Sequence, residues 1–341
     1  MFSLLIIHLQ NDRYKEMIIT DSEISVVIPI YNEEDNLPLL IAKLQEVLSS
    51  LSKSWEIIFV DDGSHDQSYN LLCDYQKNNP NIRILKLSRN FGHQAALSAG
   101  LEASSGQAVI TMDADLQHPP DLIPQMVKLW QQGYDVVQTI RQNDADIAGL
   151  KQYSSKIFYR LFNAFSEIDI FESGADFRLL SRRALCQLLK MPERNRFLRG
   201  MTQWIGFPHV ALRYIAPPRK RGQSKYTFHK MIRLASDGLM SFSVAPLRIG
   251  LLFGLIAIFL ALLEAGYVFV AKYVLHSVQR GWSSLMIVIL FLGGVQLFSI
   301  GIIGEYIGKI YLEVKQRPLF IVEDSIGFQS ISQNESEERF G

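Results

Sequence analysis

Short apolar runs and amphipathic stretches alternate along the first half of the chain, from Ile24 onward. The apolar runs have the length of buried strands, and the stretches between them have the spacing of helices. This alternation is typical of a mainly parallel sheet covered by helices, so we predict an α/β fold. The predicted strands are 24–30, 55–60, 82–87, 107–112 and 135–140, and the predicted helices are 36–49, 66–78, 94–102 and 121–132.

Polar loops follow the first four predicted strands. The strands of a parallel sheet end at the same edge, and open α/β sheets bind their ligands there. Each loop alone is more typical of a helix start or a tight turn, but the four together favour a binding site. The sequence has neither a GxGxxG loop after the first strand nor a GxxxxGKS/T loop, so it lacks the signatures of dinucleotide and P-loop sites. The four loops are PIYNEEDN, VDDGS, LSRNFGH and MDADLQH.

The segment TMDADLQHPP places two carboxylates, Asp113 and Asp115, at the end of a predicted strand. Two carboxylates in this position can converge on one hard divalent cation. Mg²⁺ binds proteins through one or two carboxylates together with substrate phosphates, so the pair suits a nucleotide-diphosphate site. A solvated turn is the alternative interpretation of this motif when it is taken alone.

Two long apolar segments, 249–270 and 285–303, approach the length that a helix needs to cross a bilayer. The segment between them is too short for a domain, so we predict a helical hairpin with both flanks on one side of the membrane. Basic residues cluster outside the two segments, whereas only Lys272 and Arg280 lie between them. This asymmetry predicts that both flanks are cytosolic.

Charge and cysteine content exclude some classes of protein. The chain has 34 basic and 34 acidic side chains, so no overall positive charge favours nucleic acid as a partner. Cys73 and Cys186 are far apart and lack a metal-ligand spacing, which is typical of a reducing, cytosolic compartment. An anionic ligand would therefore have to bind at a local basic patch.

The ordered set of motifs between Ile24 and Pro318 resembles the family-2 glycosyltransferases with the GT-A fold. It is most similar to the polyprenyl-phosphate glycosyltransferases, the group of dolichol-phosphate mannosyltransferase and the bacterial bactoprenol glucosyltransferases. The extreme N-terminus and the residues after Pro318 lie outside the resemblance. The motifs that carry it are VVIPIYNEEDN, IIFVDDGSHD, LSRNFGHQAALSAG, MDADLQHPP, SGADFRLLSR, RGQSKY and GEYIGKIYLEVKQRP.

The resemblance implies a donor site for a UDP-sugar together with a divalent metal, Mg²⁺ or Mn²⁺. A carboxylate can accept a hydrogen bond from the N–H of uracil, and a diphosphate needs charge compensation before it leaves. The implied nucleotide-sugar contacts are Pro29, Tyr31, Asn32, Glu33, Asp61, Asp62, Arg89, Asp113 and Ala114, with Asn90 and His93 as further phosphate contacts. The implied metal ligands are Asp113, Asp115 and Gln117.

Asp176, in SGADFRLL, matches the catalytic aspartate of the family. A polyprenyl phosphate is already ionised near neutral pH and needs no strong base. The resemblance therefore implies that Asp176 positions the acceptor and stabilises positive charge on the anomeric carbon. Proton abstraction and a simple ion pair with Arg178 or another cation are the alternative roles.

The acceptor phosphate is expected to meet a basic cluster just before the first apolar segment. Adhesion to an anionic membrane surface is a competing role for the same cluster. The implied acceptor-phosphate ligands are Arg178, Arg219, Arg221, Ser224 and Lys225.

Together these features predict an integral, multi-pass enzyme of the cell membrane with a cytosolic catalytic domain. It would transfer a hexose from a UDP-sugar to undecaprenyl or another polyprenyl phosphate with inversion, with glucose as the first candidate. A processive polysaccharide synthase and a catalytically silent membrane scaffold are the alternatives. Glycines along the second apolar segment permit close helix packing, either within the hairpin or between the subunits of a homo-oligomer. The predicted regions are an N-terminal extension (1–23), a GT-A domain (24–218), a basic amphipathic juxtamembrane segment (219–246), two transmembrane helices (247–307) and a cytosolic tail (308–341).

Overall fold

A computed structural model of the protein describes residues 22–51, 53–142, 174–215, 245–273 and 281–328. The chain divides into two compact units, a sheet domain and a helical unit. The sheet domain contains residues from both sides of the helical unit in sequence, because the segment from Pro318 onward belongs to it.

Eight strands and six α-helices form the described part of the sheet domain. The strands are β1 (Ile24–Ile30), β2 (Trp55–Asp61), β3 (Ile82–Leu87), β4 (Ala108–Thr111), β5 (Val136–Gln142), β6 (Gly174–Ser181), β7 (His209–Ile215) and β8 (Val322–Ile326). The helices are α1 (Leu37–Ser49), α2 (Ser68–Asn78), α3 (His93–Ala103), α4 (Ile123–Gln131), α5 (Arg182–Leu189) and α6 (Leu198–Trp204), with a 3-10 turn at Pro120–Leu122.

The strands form one mixed sheet in the order β7-β5-β6-β4-β1-β2-β3-β8. β1 pairs in parallel with β2 and β4, and β2 pairs in parallel with β3. The five predicted strands and four predicted helices are present with small shifts at their ends, so the predicted α/β fold is confirmed. Three strands were not predicted, and two of them, β6 and β8, run antiparallel to their neighbours.

Helix α3 packs closely on the middle of the sheet at Gly100. A Cβ atom at this position would overlap Val27 Cγ1 and would lie 2.9 Å from Val60 Cγ2. The missing side chain therefore lets α3 approach β1 and β2. The first residue of α3 is His93.

Gly100→Val is expected to lower the free energy of unfolding by about 1–3 kcal/mol, because the buried core must shift to admit the side chain. Urea unfolding of the purified protein, followed by circular dichroism, measures the change. Ala103→Val, at the half-buried end of the same helix, is the matched control and should have a much smaller effect. Equal effects of the two substitutions would contradict the close packing at Gly100.

A buried ion pair lies at the amino edge of the sheet, opposite the polar loops. Glu56 Oε2 lies 2.5 Å from Arg83 Nη1, and both side chains are almost fully buried. Glu56 Oε1 accepts hydrogen bonds from the hydroxyl of Ser25 and from the N–H and hydroxyl of Ser105. One carboxylate thus connects β1, β2, β3 and the turn between α3 and β4.

Glu56→Gln is expected to destabilise the sheet domain by about 3–5 kcal/mol, because it leaves the Arg83 cation buried without its anion. The midpoint of chemical unfolding measures the loss. Glu46→Gln, on the exposed face of α1, removes the same charge from solvent and should leave the midpoint unchanged. An unchanged midpoint in the Glu56 variant would refute the importance of the pair.

The C-terminal strand β8 completes the sheet next to β3. Its antiparallel register pairs Asp324 with Lys86 and Ser325 with Leu85. The hydroxyl of Tyr69 donates a hydrogen bond to Asp324 Oδ2 at 2.6 Å, and Lys86 Nζ lies 3.0 Å from Glu323 Oε2. The region that the sequence predicted as a tail therefore contains a strand of the sheet.

The helical unit contains α7 (Ala245–Tyr273) and α8 (Trp282–Val314). The two helices pack against each other, and the rings of Phe253 and Phe298 lie 6.2 Å apart in an edge-on arrangement. Many apolar side chains of both helices are exposed. Among the described residues, one segment, Phe291–Val314, is long and apolar enough to cross a membrane, and the apolar segment Leu252–Glu264 is shorter.

Candidate active site

The carboxyl ends of β1, β2 and β4 lie side by side at one edge of the sheet. The parallel register pairs Ile30 with Asp61 and Val27 with Thr111. β6 runs antiparallel to β4 and pairs Arg178 with Thr111. Continuing this register by two residues places Asp176 opposite Asp113. The edge predicted from the polar loops therefore also receives Asp176.

The loop after β1 is held by the loop after β2. The Asn32 N–H donates a hydrogen bond to Ser64 Oγ at 3.1 Å, and the His65 N–H donates one to Asn32 Oδ1 at 2.8 Å. The Glu33 N–H donates to Ser68 Oγ at 2.9 Å. Asn32 has a φ of 56°, a left-handed conformation that asparagine tolerates better than most residues. These bonds fix the turn at Asn32 and Glu33 close to the end of β2.

Asp61 ends β2 and is fully buried. Its Oδ1 accepts a hydrogen bond from the Ser64 N–H at 3.3 Å, whereas its buried Oδ2 has no hydrogen-bond partner among the described residues. Burial raises the pKa of Asp61, while Ser64 and the charge of Lys86 lower it by less. Buried acceptors without a donor are rare in native proteins, so Oδ2 is suited to a donor that a ligand brings.

Asp62 has a different environment from Asp61. Its Oδ1 accepts a hydrogen bond from the Phe91 N–H at 2.7 Å, and its Oδ2 accepts one from the Gly92 N–H at 2.9 Å. Both oxygens therefore hold the loop between β3 and α3. This geometry gives Asp62 an indirect part in the predicted donor site, through the position of that loop.

The other predicted donor residues differ in their accessibility. Tyr31 is exposed at the sheet edge, and Arg89 is exposed with its guanidinium 4.0 Å from the ring centre of Phe91. Ala114 is buried in the hydrophobic core, and Pro29 lies within the buried strand β1. Tyr31 and Arg89 are thus the members of this group that can contact a ligand with their side chains.

Asp113 lies between two histidines. Its Oδ1 is 2.7 Å from His93 Nε2, and its backbone N–H donates to His118 Nδ1 at 2.9 Å. His118 is buried and stacks on Phe177 with ring centres 5.2 Å apart. Burial alone would raise the pKa of Asp113, but its hydrogen bond with His93 and the charge of His93 lower it. Asp113 therefore remains an anion, as a metal ligand must.

Three side chains here offer oxygen atoms to a cation: Asp113, Asp115 and Gln117. The Gln117 N–H donates to Asp115 Oδ1 at 3.1 Å, and Gln117 Oε1 accepts a hydrogen bond from Arg141 Nη1 at 3.2 Å. Within the described residues, no three His, Cys, Asp or Glu side chains form a ready cluster for a metal. The set fits a hard cation that completes its shell with water and substrate phosphates, as Mg²⁺ does.

Asp176 is bound by two arginines. Arg178 Nη2 donates to Asp176 Oδ1 at 2.6 Å. Arg199, on α6, donates from Nε to Oδ1 at 3.0 Å and from Nη2 to Oδ2 at 2.8 Å. Burial alone would raise the pKa of Asp176, but Arg199 and Arg178 hold it far below its usual value. Such a carboxylate stays ionised and is a weak general base.

Asp113 and Asp176 both influence the pKa of His93. Burial would lower the pKa of His93, but its hydrogen bond with Asp113 and the charges of Asp113 and Asp176 raise it. Burial raises the pKa of Tyr214 to about 12, with Arg141 and Arg199 opposing the rise and Asp113 adding to it. The charges of Asp113 and Asp176 therefore both act on His93.

Sequence patterns did not identify Arg199, Arg141, His118 or Tyr214 as members of this site. Arg141 directly follows a predicted strand and His118 follows the Asp-x-Asp motif, so position could have indicated these two. Arg199 carries no such signal, because α6 is distant in sequence from β4. The predicted acceptor ligands Arg219, Arg221, Ser224 and Lys225 lie outside the described residues.

Two family models match this chain. The model described as "Glycosyl transferase family 2" matches residues 25–189, and the model described as "GtrB C-terminal hairpin" matches residues 245–310. The first match covers β1 to β6 and α1 to α5, and the second covers most of the helical unit.

Individual proteins are also similar. An uncharacterized glycosyltransferase of Synechocystis sp. is 44% identical over 307 residues, which cover 90% of this chain and 96% of the relative. Bactoprenol glucosyl transferase of Shigella phage SfII is 38% identical over 303 residues, which cover 89% of this chain and 98% of the relative. Similarity to solved structures is lower. One of them is glucosyl-3-phosphoglycerate synthase from Mycobacterium tuberculosis in complex with Mn²⁺, UDP and phosphoglyceric acid. It is 18% identical with a TM-score of 0.44, and the match covers 64% of this chain and 76% of that chain.

Proposed function

This chain belongs to glycosyltransferase family 2, and on that premise we propose that it transfers a hexose from a UDP-sugar to a polyprenyl phosphate. It is a glycosyltransferase with the GT-A fold. Glucose is the first candidate for the sugar, because the relatives that span most of this chain include bactoprenol glucosyl transferases.

The double ion pair of Asp176 is the observation that carries the proposal. An acceptor hydroxyl needs a base to remove its proton, but a carboxylate held by Arg178 and Arg199 is a weak base. A phosphate monoester already carries a nucleophilic oxygen at neutral pH and needs no base. The site therefore suits a phosphate acceptor better than a hydroxyl acceptor.

The donor is proposed to bind along the ends of β1, β2 and β4. The buried Oδ2 of Asp61 would accept the N–H of the uracil, which supplies the donor that this atom lacks among the described residues. Asn32 and Glu33 would meet the ribose. Asp113, Asp115 and Gln117 would hold Mg²⁺ or Mn²⁺, and the bound ion would neutralise the departing diphosphate.

The reaction is proposed to be a direct displacement. An oxygen of the acceptor phosphate forms a bond to the anomeric carbon while the bond from that carbon to the UDP oxygen breaks, so no proton must move. Attack from the face opposite the diphosphate inverts the configuration. Asp176 would stabilise the positive charge that develops on the sugar.

The helical unit is proposed to anchor the enzyme as a membrane hairpin. The chain leaves the sheet domain before α7 and returns to it from Pro318, so a membrane-spanning unit must cross an even number of times. Two crossings are the smallest such number and agree with the matched hairpin family. The predicted domain limits, the cytosolic orientation and the homo-oligomer remain proposals of the same kind.

One assay tests the proposed function. Purified protein, labelled UDP-glucose, undecaprenyl phosphate and Mg²⁺ or Mn²⁺ should yield a labelled, organic-soluble lipid, and a panel of UDP- and GDP-sugars ranks the donors. A water-soluble labelled polymer would instead favour a processive synthase. Absence of any sugar transfer with every donor would favour the silent scaffold.

A further inference from the structure

The two arginines that bind Asp176 differ in accessibility. The side chain of Arg178 is 3% exposed, and its Nη1 also donates to Thr202 Oγ1 at 3.1 Å. The side chain of Arg199 is 32% exposed. Arg178 is therefore fixed inside the domain, whereas about a third of the Arg199 side chain is open to solvent.

Arg199 is also placed close to the donor half of the site. It is the second residue of α6, and the Leu198 N–H at the start of α6 donates to Gln94 Oε1 at 3.3 Å. Gln94 follows His93, which contacts Asp113. The start of α6 is thereby tied to the start of α3, next to the predicted metal ligands.

The contacts of Asp176 allow one of its two partners to leave. Arg178 and Arg199 both donate to its carboxylate, so Asp176 keeps a cationic partner when Arg199 binds elsewhere. The planar fork of Arg199, which now holds Asp176 through two hydrogen bonds, matches a phosphate equally well. Exchange of one anion for the other keeps Arg199 paired, and Arg178 keeps Asp176 paired.

We propose that Arg199 changes partner during the reaction, binding Asp176 in the free enzyme and the acceptor phosphate when that substrate arrives. This inference rests on the proposed function and gives Arg199 the role of acceptor ligand that the sequence assigned to the buried Arg178. In the free enzyme the positive charge of Arg199 covers Asp176. When Arg199 moves to the phosphate, Oδ2 of Asp176 becomes available to the sugar, so the full charge acts only when an acceptor is present.

The exchange also explains how the donor would be protected from water. If water takes the place of the phosphate, the products are free hexose and UDP, and the donor is lost. Asp176 stabilises the same developing charge in both reactions. An Asp176 that is covered until the acceptor binds would suppress the hydrolysis.

Arg199→Gln tests the exchange through two readouts. We expect the KM for the polyprenyl phosphate to rise by about tenfold or more, because a bidentate charged contact is lost. UDP release without acceptor should increase relative to transfer, because Asp176 is no longer covered. Arg199→Lys keeps the charge but not the fork and should give an intermediate KM.

Arg183→Gln is the matched control. Arg183 holds the buried Asp135 with the same two-bond geometry, at the amino edge of the sheet, and should change neither readout. Titration with UDP and a thermal melt establish that each variant is folded. The exchange is overturned if Arg199→Gln leaves the acceptor KM unchanged, or if hydrolysis of the UDP-sugar falls in parallel with transfer. Either result leaves the proposed function standing. Wild-type protein that transfers no sugar to lipid phosphate overturns both.

Discussion

Replacing Asp115 with asparagine is expected to lower the rate of sugar transfer by about a thousandfold, as the loss of a group that neutralises a leaving diphosphate should. Asp115 and Asp113 are the two carboxylates of the Asp-x-Asp motif at the end of β4, and Gln117 lies beside them. An asparagine keeps the shape of the side chain but offers the cation a neutral oxygen. The substitution therefore tests charge rather than packing.

Metal dependence gives the same prediction an independent readout. UDP should bind wild-type protein more tightly with Mn²⁺ than with EDTA, whereas Asp115→Asn should bind UDP with the same weaker affinity in both. Asp121→Asn is the control, because Asp121 is exposed on the next turn. Full transfer activity of the wild-type protein after exhaustive chelation would refute the metal site, regardless of the activity of Asp115→Asn.

Asp176→Asn is expected to reduce transfer by about a hundredfold to a thousandfold while leaving the affinity for UDP intact. The substitution removes the anion proposed to stabilise the sugar, and it also removes the carboxylate that pairs with the buried Arg178, so some loss of stability should accompany it. Asp135→Asn is the control: it breaks the comparable pair with Arg183 far from the site and should cost stability only.

The pH dependence of the wild-type enzyme separates a base from an electrostatic role for Asp176. Arg199 and Arg178 hold the pKa of Asp176 below that of an ordinary carboxyl group. The side chain of Asp176 is therefore ionised at every pH above the ordinary carboxylate range. Its charge is lost only on acidification below the ordinary carboxylate range. The acid limb of kcat/KM for the acceptor should therefore lie near pH 6, where a phosphate monoester gains a proton. A limb that keeps its position when a phosphonate with a higher pKa replaces the phosphate would argue against this assignment.

Local patterns in the sequence were sufficient for the parallel half of the sheet. β1 to β4 are mainly apolar runs, Asp61 ends β2, and the segments after β1 and β4 carry Asn32 and Asp113, so strand ends indicated the donor side. β6 escaped pattern analysis because two buried charged residues, Asp176 and Arg178, interrupt its apolar run. β8 was not predicted because it is short and acidic, and because its pairing with β3 cannot be seen in a local pattern.

Pairing between distant residues was also invisible in the sequence. The motif SGADFRLL identified Asp176 by resemblance, but nothing in the motif indicated that Arg199 would bind both of its oxygens. Asp61 and Asp62 are neighbours, and the sequence predicted a nucleotide contact for both. Within the described residues, however, Asp61 Oδ2 accepts no hydrogen bond, whereas both oxygens of Asp62 accept hydrogen bonds from the loop between β3 and α3. Such differences depend on which backbone N–H groups the fold brings near, and for Asp62 these belong to the loop between β3 and α3.

The return of β8 to the sheet domain has a consequence for how the protein is made. Until β8 is synthesised, β3 is an open edge strand, and such edges are sites of aggregation. β8 follows both long helices in the sequence, so we expect the sheet to be completed only after both helices have been synthesised. Limited proteolysis of ribosome-bound chains that stop at Lys315 should find the β3 edge open, and full-length chains should be protected.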